Sequence, residues 1–271
     1  IRPFIDLKQA GGKQRLMAIF NEVADLVSEF GGTIAGEHGD GRARSWLIKR
    51  FYGDKLHRLF GEFKHAFDPH NLLNPGNIVD GQPPMDNLRW GHPVVNPIET
   101  TLDFERDGGF SFAVEMCNGN GQCRKVDTGT MCPSYQGTRN DIHSTRGRAN
   151  ALRGVLHGNF PKGAFTSKAM YEVMDSCLEC KACKTECPSK VDMAKIKYEF
   201  QYQYNKVHGT PLRSRLFGNI HLLNKLGSRL APIANWAIGT PLHRDLQRLL
   251  GIAPQRRLPD FAGEPFSRWF E

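Results

Sequence analysis

The chain has 271 residues, 39% of them apolar, enough for one large domain or two small ones with buried cores. Its net charge of +8 is uneven, with ten Lys/Arg against four Asp/Glu in residues 201–271, yet no basic run exceeds two residues, which argues against a nucleic-acid-binding arm. The longest apolar stretch, "LAPIANWAIG", is too short to cross a bilayer and contains Pro232, and an odd count of seven cysteines does not suit a secreted disulfide scaffold.

The opening "IRPFIDLKQAGG" lacks both an initiator Met and the basic and apolar regions of a signal peptide, and reads as part of a longer or processed protein. From residue 13 the apolar positions Leu16, Ile19, Phe20, Val23, Leu26, Val27 and Phe30 recur at helical spacing, and Gly31-Gly32 ends the pattern. "TIAG" follows as a short strand candidate, then the glycine-rich loop "GEHGDGRAR". Leu56, Leu59, Phe60, Phe63 and Phe67 mark a second amphipathic helix, which stops at Asp68-Pro69 because the residue before proline avoids the helical basin. Asn74-Pro75-Gly76 is a turn signal. Residues 1–80 therefore read as a small mixed α/β piece.

Residues 81–105 are proline-rich and weakly periodic, as in a linker or an arm that tracks a surface. Residues 106–209 hold every cysteine, with helix signals between the motifs. Ser144 or Thr145 is placed to cap a helix through "RGRANALRGVL", and Thr166-Ser167 one through "KAMYEVMDSC". A further helix is expected after Pro188. Residues 210–271 read as a helical extension broken by Pro211, Pro232, Pro241, Pro254, Pro259 and Pro265. The fold expected is mainly α.

The densest chemistry is Cys177-x2-Cys180-x2-Cys183-x3-Cys187-Pro188, the spacing of a bacterial iron–sulfur run. Thiolates three residues apart on a tight loop can wrap three corners of one cubane, and the proline redirects the chain. A zinc ribbon, the alternative, uses two well-separated pairs around one tetrahedral ion. A second run reads Cys117-x2-Asn120-x2-Cys123-x8-Cys132-Pro133, with Asn120 where the middle thiol belongs. In two-cluster ferredoxins the fourth Cys of each run serves the other cluster. By that rule Cys177, Cys180, Cys183 and Cys132 complete one four-iron cluster and leave Cys117, Cys123 and Cys187 for a second. That second site is three-iron, four-iron with a non-thiolate ligand, or lost; with a single cluster, Cys187 can replace Cys132. Arg124, Lys125, Arg139, Arg146, Arg148, Lys181 and Lys184 lie near the motifs in sequence, and most of them read as ordinary surface charge.

In "GEHGDG", Gly36, Gly39 and Gly41 permit a tight backbone approach to a planar cofactor or small anion around Glu37 and His38. A glutamate beside a histidine can orient the imidazole, which is a general base near neutral pH. A glycine-rich surface turn with incidental polar residues is the competing reading.

The paired cysteine runs with "HSTRGRANALR" resemble the α-helical ferredoxin modules of glycolate oxidase and succinate dehydrogenase-type iron–sulfur subunits. The stretched "CNGNGQC…MCPSYQGTRNDIHSTRGRA" is closer to large bacterial enzymes that fuse a flavin-linked oxidase to an iron–sulfur half, including D-2-hydroxyglutarate dehydrogenases. "EHG" with the later "DP…LLNPG" looks like the end of the C-terminal domain of FAD-linked oxidases, the D-lactate, glycolate and D-2-hydroxyglutarate dehydrogenases. The resemblance implies that Glu37 ligates a divalent metal, as in some members. His38 takes the hydroxyl proton of a 2-hydroxy acid while the α-hydride moves to the flavin, and Gly36 and Asn74 lie near the cofactor. It also implies an upstream FAD-binding domain and a downstream cysteine-rich domain outside this chain, so that the segment alone is not catalytically competent. Electrons would pass from FAD through the cluster to a quinone or another acceptor. The expected location is the cytoplasm, or the periphery of the inner membrane, with no transmembrane segment and no nucleic-acid partner. The alternative is a stand-alone ferredoxin-like carrier without catalytic residues.

Overall fold

The computed structural model describes residues 3–89 and 94–271, so Arg2 and part of the 81–105 segment lie outside the described residues. The chain divides into two units, residues 1–95 and 96–271. The described elements are helical throughout, as the mainly-α reading expects, and no strand forms among the described residues.

In the first unit the predicted helices appear as α1, Gly12–Glu29, and α2, Ile48–Phe67. Gly53 interrupts α2 with φ 76°, a conformation that suits glycine, so the regular helix starts after it. The α2 C-terminus ends as the Asp68-Pro69 signal predicts. Asp68 accepts hydrogen bonds from the amides of Leu72 (2.8 Å) and Leu73 (2.9 Å) and pairs with Lys64. The "TIAG" strand expectation is corrected: residues 33–36 are loop. A lone strand has no ladder to satisfy its amides, and Thr33 instead turns its hydroxyl onto the Ala35 carbonyl (2.7 Å). Ser45 ties this unit together, donating to Gly41 O (2.6 Å) and accepting from Ile78 N (2.7 Å). The apolar faces of α1 and α2 are incompletely covered, with Phe30, Phe63 and Phe67 exposed.

In the second unit the core is built from α3, Phe110–Glu115; α5, Thr145–Leu156; α6, Lys168–Asp175; and α8, Met193–His208. Two short helices, α4 (Pro133–Thr138) and α7 (Ala182–Glu186), follow cysteine-bearing loops. Val114, Leu152, Leu156, Met174, Val191 and Phe200 are fully buried, and an aromatic file runs Phe104–Phe110–Phe165–Phe200 with centroids 5.2 to 6.0 Å apart. Of the cap candidates, Ser144 accepts from Gly147 N (3.0 Å) and Ser167 from Met170 N (3.2 Å); Asp192 caps α8.

Residues 96–104 dock on this core. Asn96 donates to the α5 C-terminal carbonyls of Val155 and Leu156, and the buried Glu199 of α8 accepts from the amides of Thr101 (3.0 Å) and Leu102 (2.9 Å). The C-terminal stretch carries α9 (Leu212–Gly218), α10 (Ile220–Arg229), α11 (Ala231–Ile238), α12 (Pro241–Leu249) and α13 (Phe266–Phe270). Pro211, Pro232, Pro241 and Pro265 sit at helix starts, where the missing N–H costs nothing. Pro254 and Pro259 fall in the connection before α13.

Candidate metal centre

The Cys177–Cys187 run begins where α6 ends. Glu179 and Lys181 both adopt left-handed backbone, with φ of 56° and 59°. These two reversals wind the loop tightly before α7. The result is a cavity in the second unit lined by Cys177, Cys180 and Cys183, and also by Cys132, Arg148 and Met193. Cys132 arrives from the other run, as the N-cap of α4 with Pro133 in the first turn. Cys187 does not line this cavity, though it is buried.

The walls supply positive charge and N–H donors. Arg148, on the inner face of α5 beside Leu152, is fully buried. Its Nη1 lies 3.6 Å from Cys132 Sγ, its Nη2 donates to Ser176 Oγ (2.7 Å) and its Nε to Val173 O (3.2 Å). Lys197, buried on α8, donates to the Cys177 carbonyl (2.7 Å) and pairs with Glu179 (2.9 Å). Burial pushes the Cys177 thiol up, opposed by the Glu179 amide and by the charges of Arg148 and Lys197. Burial likewise raises Cys183, opposed chiefly by the amide of Met193 and, more weakly, that of Ala194 at the α8 N-terminus. Such amide-to-sulfur bonds and nearby cations are what stabilise bound thiolate.

The remaining cysteines of the first run are also buried. Cys123 Sγ accepts from Arg146 N (3.4 Å), and burial raises its thiol, opposed by that amide and the Ser144 hydroxyl, with Cys117 and Cys132 near enough to add to the rise. Asn120 is engaged locally: its Oδ1 accepts from Gln122 N (3.0 Å), between Gly119 and Gly121 in left-handed backbone. The side chain that replaces the middle thiol thus holds a turn at the surface.

One clamp joins the two runs. The Glu186 carboxylate, on α7, accepts from Thr130 N (2.9 Å) and Met131 N (3.1 Å), and these amides hold its carboxyl below the usual carboxylate range. It thereby fixes the residues preceding Cys132 against the second run. The sequence alone does not single out Glu186 or Lys197. The signal for Lys197 is a cation at a core-facing position between Met193 and Phe200; for Glu186 it is only the place between Cys183 and Cys187. Among the cations near the motifs in sequence, Arg124 and Arg146 share Asp141, and Lys184 pairs with Asp192.

The four cavity thiols suit a cluster. Each iron corner takes one thiolate, so the sulfurs stand around a cavity. A single zinc needs all donors within about 2.3 Å of one point, and no three His, Cys, Asp or Glu side chains among the described residues converge that way.

In the first unit, His38 Nε2 lies 3.4 Å from Glu37 Oε1, and both side chains are more than four-fifths exposed. Gly36 and Gly39 have open space where a side chain would start. Asn74 is exposed in left-handed backbone, φ 47°, and accepts from Asn77 N (3.2 Å). Glu37 and His38 are therefore together, on an open loop.

Residues 1–78 match the family "FAD linked oxidases, C-terminal domain", and residues 113–191 match "4Fe-4S dicluster domain". D-2-hydroxyglutarate dehydrogenase of Escherichia coli is 31% identical over 91% of this chain and 28% of that protein. The Pseudomonas putida protein of the same name is 31% identical over 81% of this chain and 25% of its own length. Glycolate oxidase subunit GlcD of Escherichia coli is 38% identical over 27% of this chain and 15% of that subunit. The chain thus spans about a quarter of the dehydrogenases it matches. No solved structure matches it.

Proposed function

We propose that this chain, which joins the C-terminal domain of FAD-linked oxidases to a 4Fe-4S dicluster domain, is the junction and electron-relay part of a 2-hydroxy acid dehydrogenase. Residues 1–80 are the end of the flavin-linked domain, 81–105 the linker, 106–209 the helical ferredoxin-like domain and 210–271 a helical extension. The observation that carries the reading is the cavity lined by Cys132, Cys177, Cys180 and Cys183.

Bound in the parent protein, FAD and a four-iron cluster supply hydride and one-electron chemistry respectively. The four cavity cysteines hold the cluster as thiolates, with Cys132 rather than Cys187 as the fourth. Amides of Glu179, Met193 and Ala194 and the charges of Arg148 and Lys197 favour that ionised state. Cys117, Cys123 and Cys187 are the ligands left for a second cluster. In the first unit His38 accepts the substrate's hydroxyl proton, Glu37 orients its ring and can ligate a divalent metal, and Gly36 and Asn74 approach the flavin. An upstream FAD-binding domain and a downstream cysteine-rich domain complete the enzyme, and a quinone or similar carrier takes the electrons. No helix among the described residues is long and apolar enough to cross a membrane. Seven free thiols fit the reducing cytoplasm, with contact at the inner membrane the variant suited to a quinone.

A stand-alone electron carrier is the second reading, favoured by the solvent exposure of Glu37 and His38. The test is anaerobic preparation with ample iron, followed by iron and sulfide analysis and EPR of the reduced protein. Cys180→Ser and Cys132→Ser should lose the cluster signal, and Cys187→Ser should keep it. Full signal in Cys132→Ser, or a colourless wild type, would sink the assignment.

A further inference from the structure

We propose that Arg148 is the positioning residue that balances the charge of the cluster cavity and raises the cluster's reduction potential. This rests on the cluster reading above. Arg148 is fully buried, yet among the described residues it pairs with no carboxylate. Its three polar contacts are Val173 O, Ser176 Oγ and Cys132 Sγ. A guanidinium stays protonated under all ordinary conditions. Burying that charge without an anion is costly, and removing only the anionic partner of a buried pair is strongly destabilising. The Arg148 guanidinium lies 3.6 Å from Cys132 Sγ and lines the same cavity as Cys177, Cys180 and Cys183.

Of the other cations around the centre, Lys181 is exposed at the cavity rim and four are matched. Lys197 pairs with Glu179, Lys184 with Asp192, and Arg146 and Arg124 with Asp141. Arg148 is thus the buried positive charge left over, and it stands against the sulfur that comes from the other cysteine run. A four-thiolate cluster carries net negative charge, and one-electron reduction adds one more. A fixed cation in a low-dielectric wall stabilises the reduced form more than the oxidised form. The forked contacts to Val173 and Ser176 hold that charge at the end of α6, next to the first residue of the Cys177 run.

The experiment compares wild type, Arg148→Lys and Arg148→Met, reconstituted anaerobically with iron and sulfide. Iron per chain and circular dichroism are measured, and the midpoint potential is read by dithionite titration followed by EPR. Arg148→Met should shift the oxidised-to-reduced ratio at fixed potential by about tenfold or more toward oxidised, which is about 59 mV for one electron. Arg148→Lys should recover at least half of that shift. Loss of iron in Arg148→Met with retention in Arg148→Lys also supports the charge role. An iron-loaded Arg148→Met with an unchanged potential overturns it, as do equal shifts in both variants. Loss of iron from both with helical content intact overturns it too, because the conserved charge then fails to rescue. A wild type without iron is a different failure, that of the cluster reading itself.

Discussion

Replacing Glu199 by Ala should loosen the middle of the arm, residues 99–102, from the helical core without disturbing the cysteine cavity. Glu199 is fully buried on α8. Its Oε2 accepts from Thr101 N at 3.0 Å and Leu102 N at 2.9 Å, and its Oε1 from Gln203 Nε2 at 2.8 Å. Gln203 also donates to Glu99 O at 2.8 Å, so one carboxylate and its neighbour hold the middle of the arm. Hydrogen bonds to a charged acceptor contribute about 1.5–3 kcal/mol each. Thr101 and Leu102 are exposed enough that their freed amides regain water, so the lower figure applies and the two together come to about 3 kcal/mol. A domain of about 150–250 residues loses about 2–4 °C in Tm per kcal/mol, so the expected drop is about 6–12 °C. Calorimetry measures that drop, and hydrogen exchange should show faster exchange at the Thr101 and Leu102 amides. Glu199→Gln, which keeps an acceptor oxygen, should fall between. Iron per folded chain should not change, because Met193 and Ala194, which face Cys183, lie a turn or more away on the same helix. A Tm shift under about 2 °C with unaltered exchange at both amides would refute the reasoning.

Asp68 gives a pH dependence whose sign follows from its partners. Lys64 first, then the amides of Leu72 and Leu73, hold its carboxyl down to about 2 from an ordinary value of 3.8. The contribution is complete above 3.8 and is lost as pH falls through 3.8 towards 2, so acid titration of the helical signal of α2 should show a component in that window that Asp68→Asn lacks. An identical titration for the variant would contradict this. In the intact parent enzyme, His38→Ala should slow flavin reduction by substrate at least about a hundredfold, the low end for loss of a general base, and leave iron content alone. Stopped-flow flavin absorbance checks it, and an unchanged rate removes His38 from the mechanism.

What the sequence determined by itself was local. Helical periodicity marked α1 and α2, Asp68-Pro69 marked where α2 stops, and the pairs Ser144-Thr145 and Thr166-Ser167 marked where α5 and α6 start, with the structure choosing Ser144 and Ser167 as caps. These depend on residues within a turn or two of one another, so spacing alone expresses them. The cysteine run is local in the same sense, since thiols three residues apart on one loop can reach one cavity, as Cys177, Cys180 and Cys183 do. The tertiary structure decided what depends on residues far apart in the chain. It brought Cys132 rather than Cys187 to the cavity, because the Glu186 carboxylate clamps the loop before Cys132 against α7. It also turned Arg148 inward with no carboxylate partner among the described residues, and it drew Thr101 and Leu102 onto α8 through Glu199. It left "TIAG" as loop, because a strand exists only with a neighbour to share its hydrogen bonds, and no stretch of four residues can specify that neighbour.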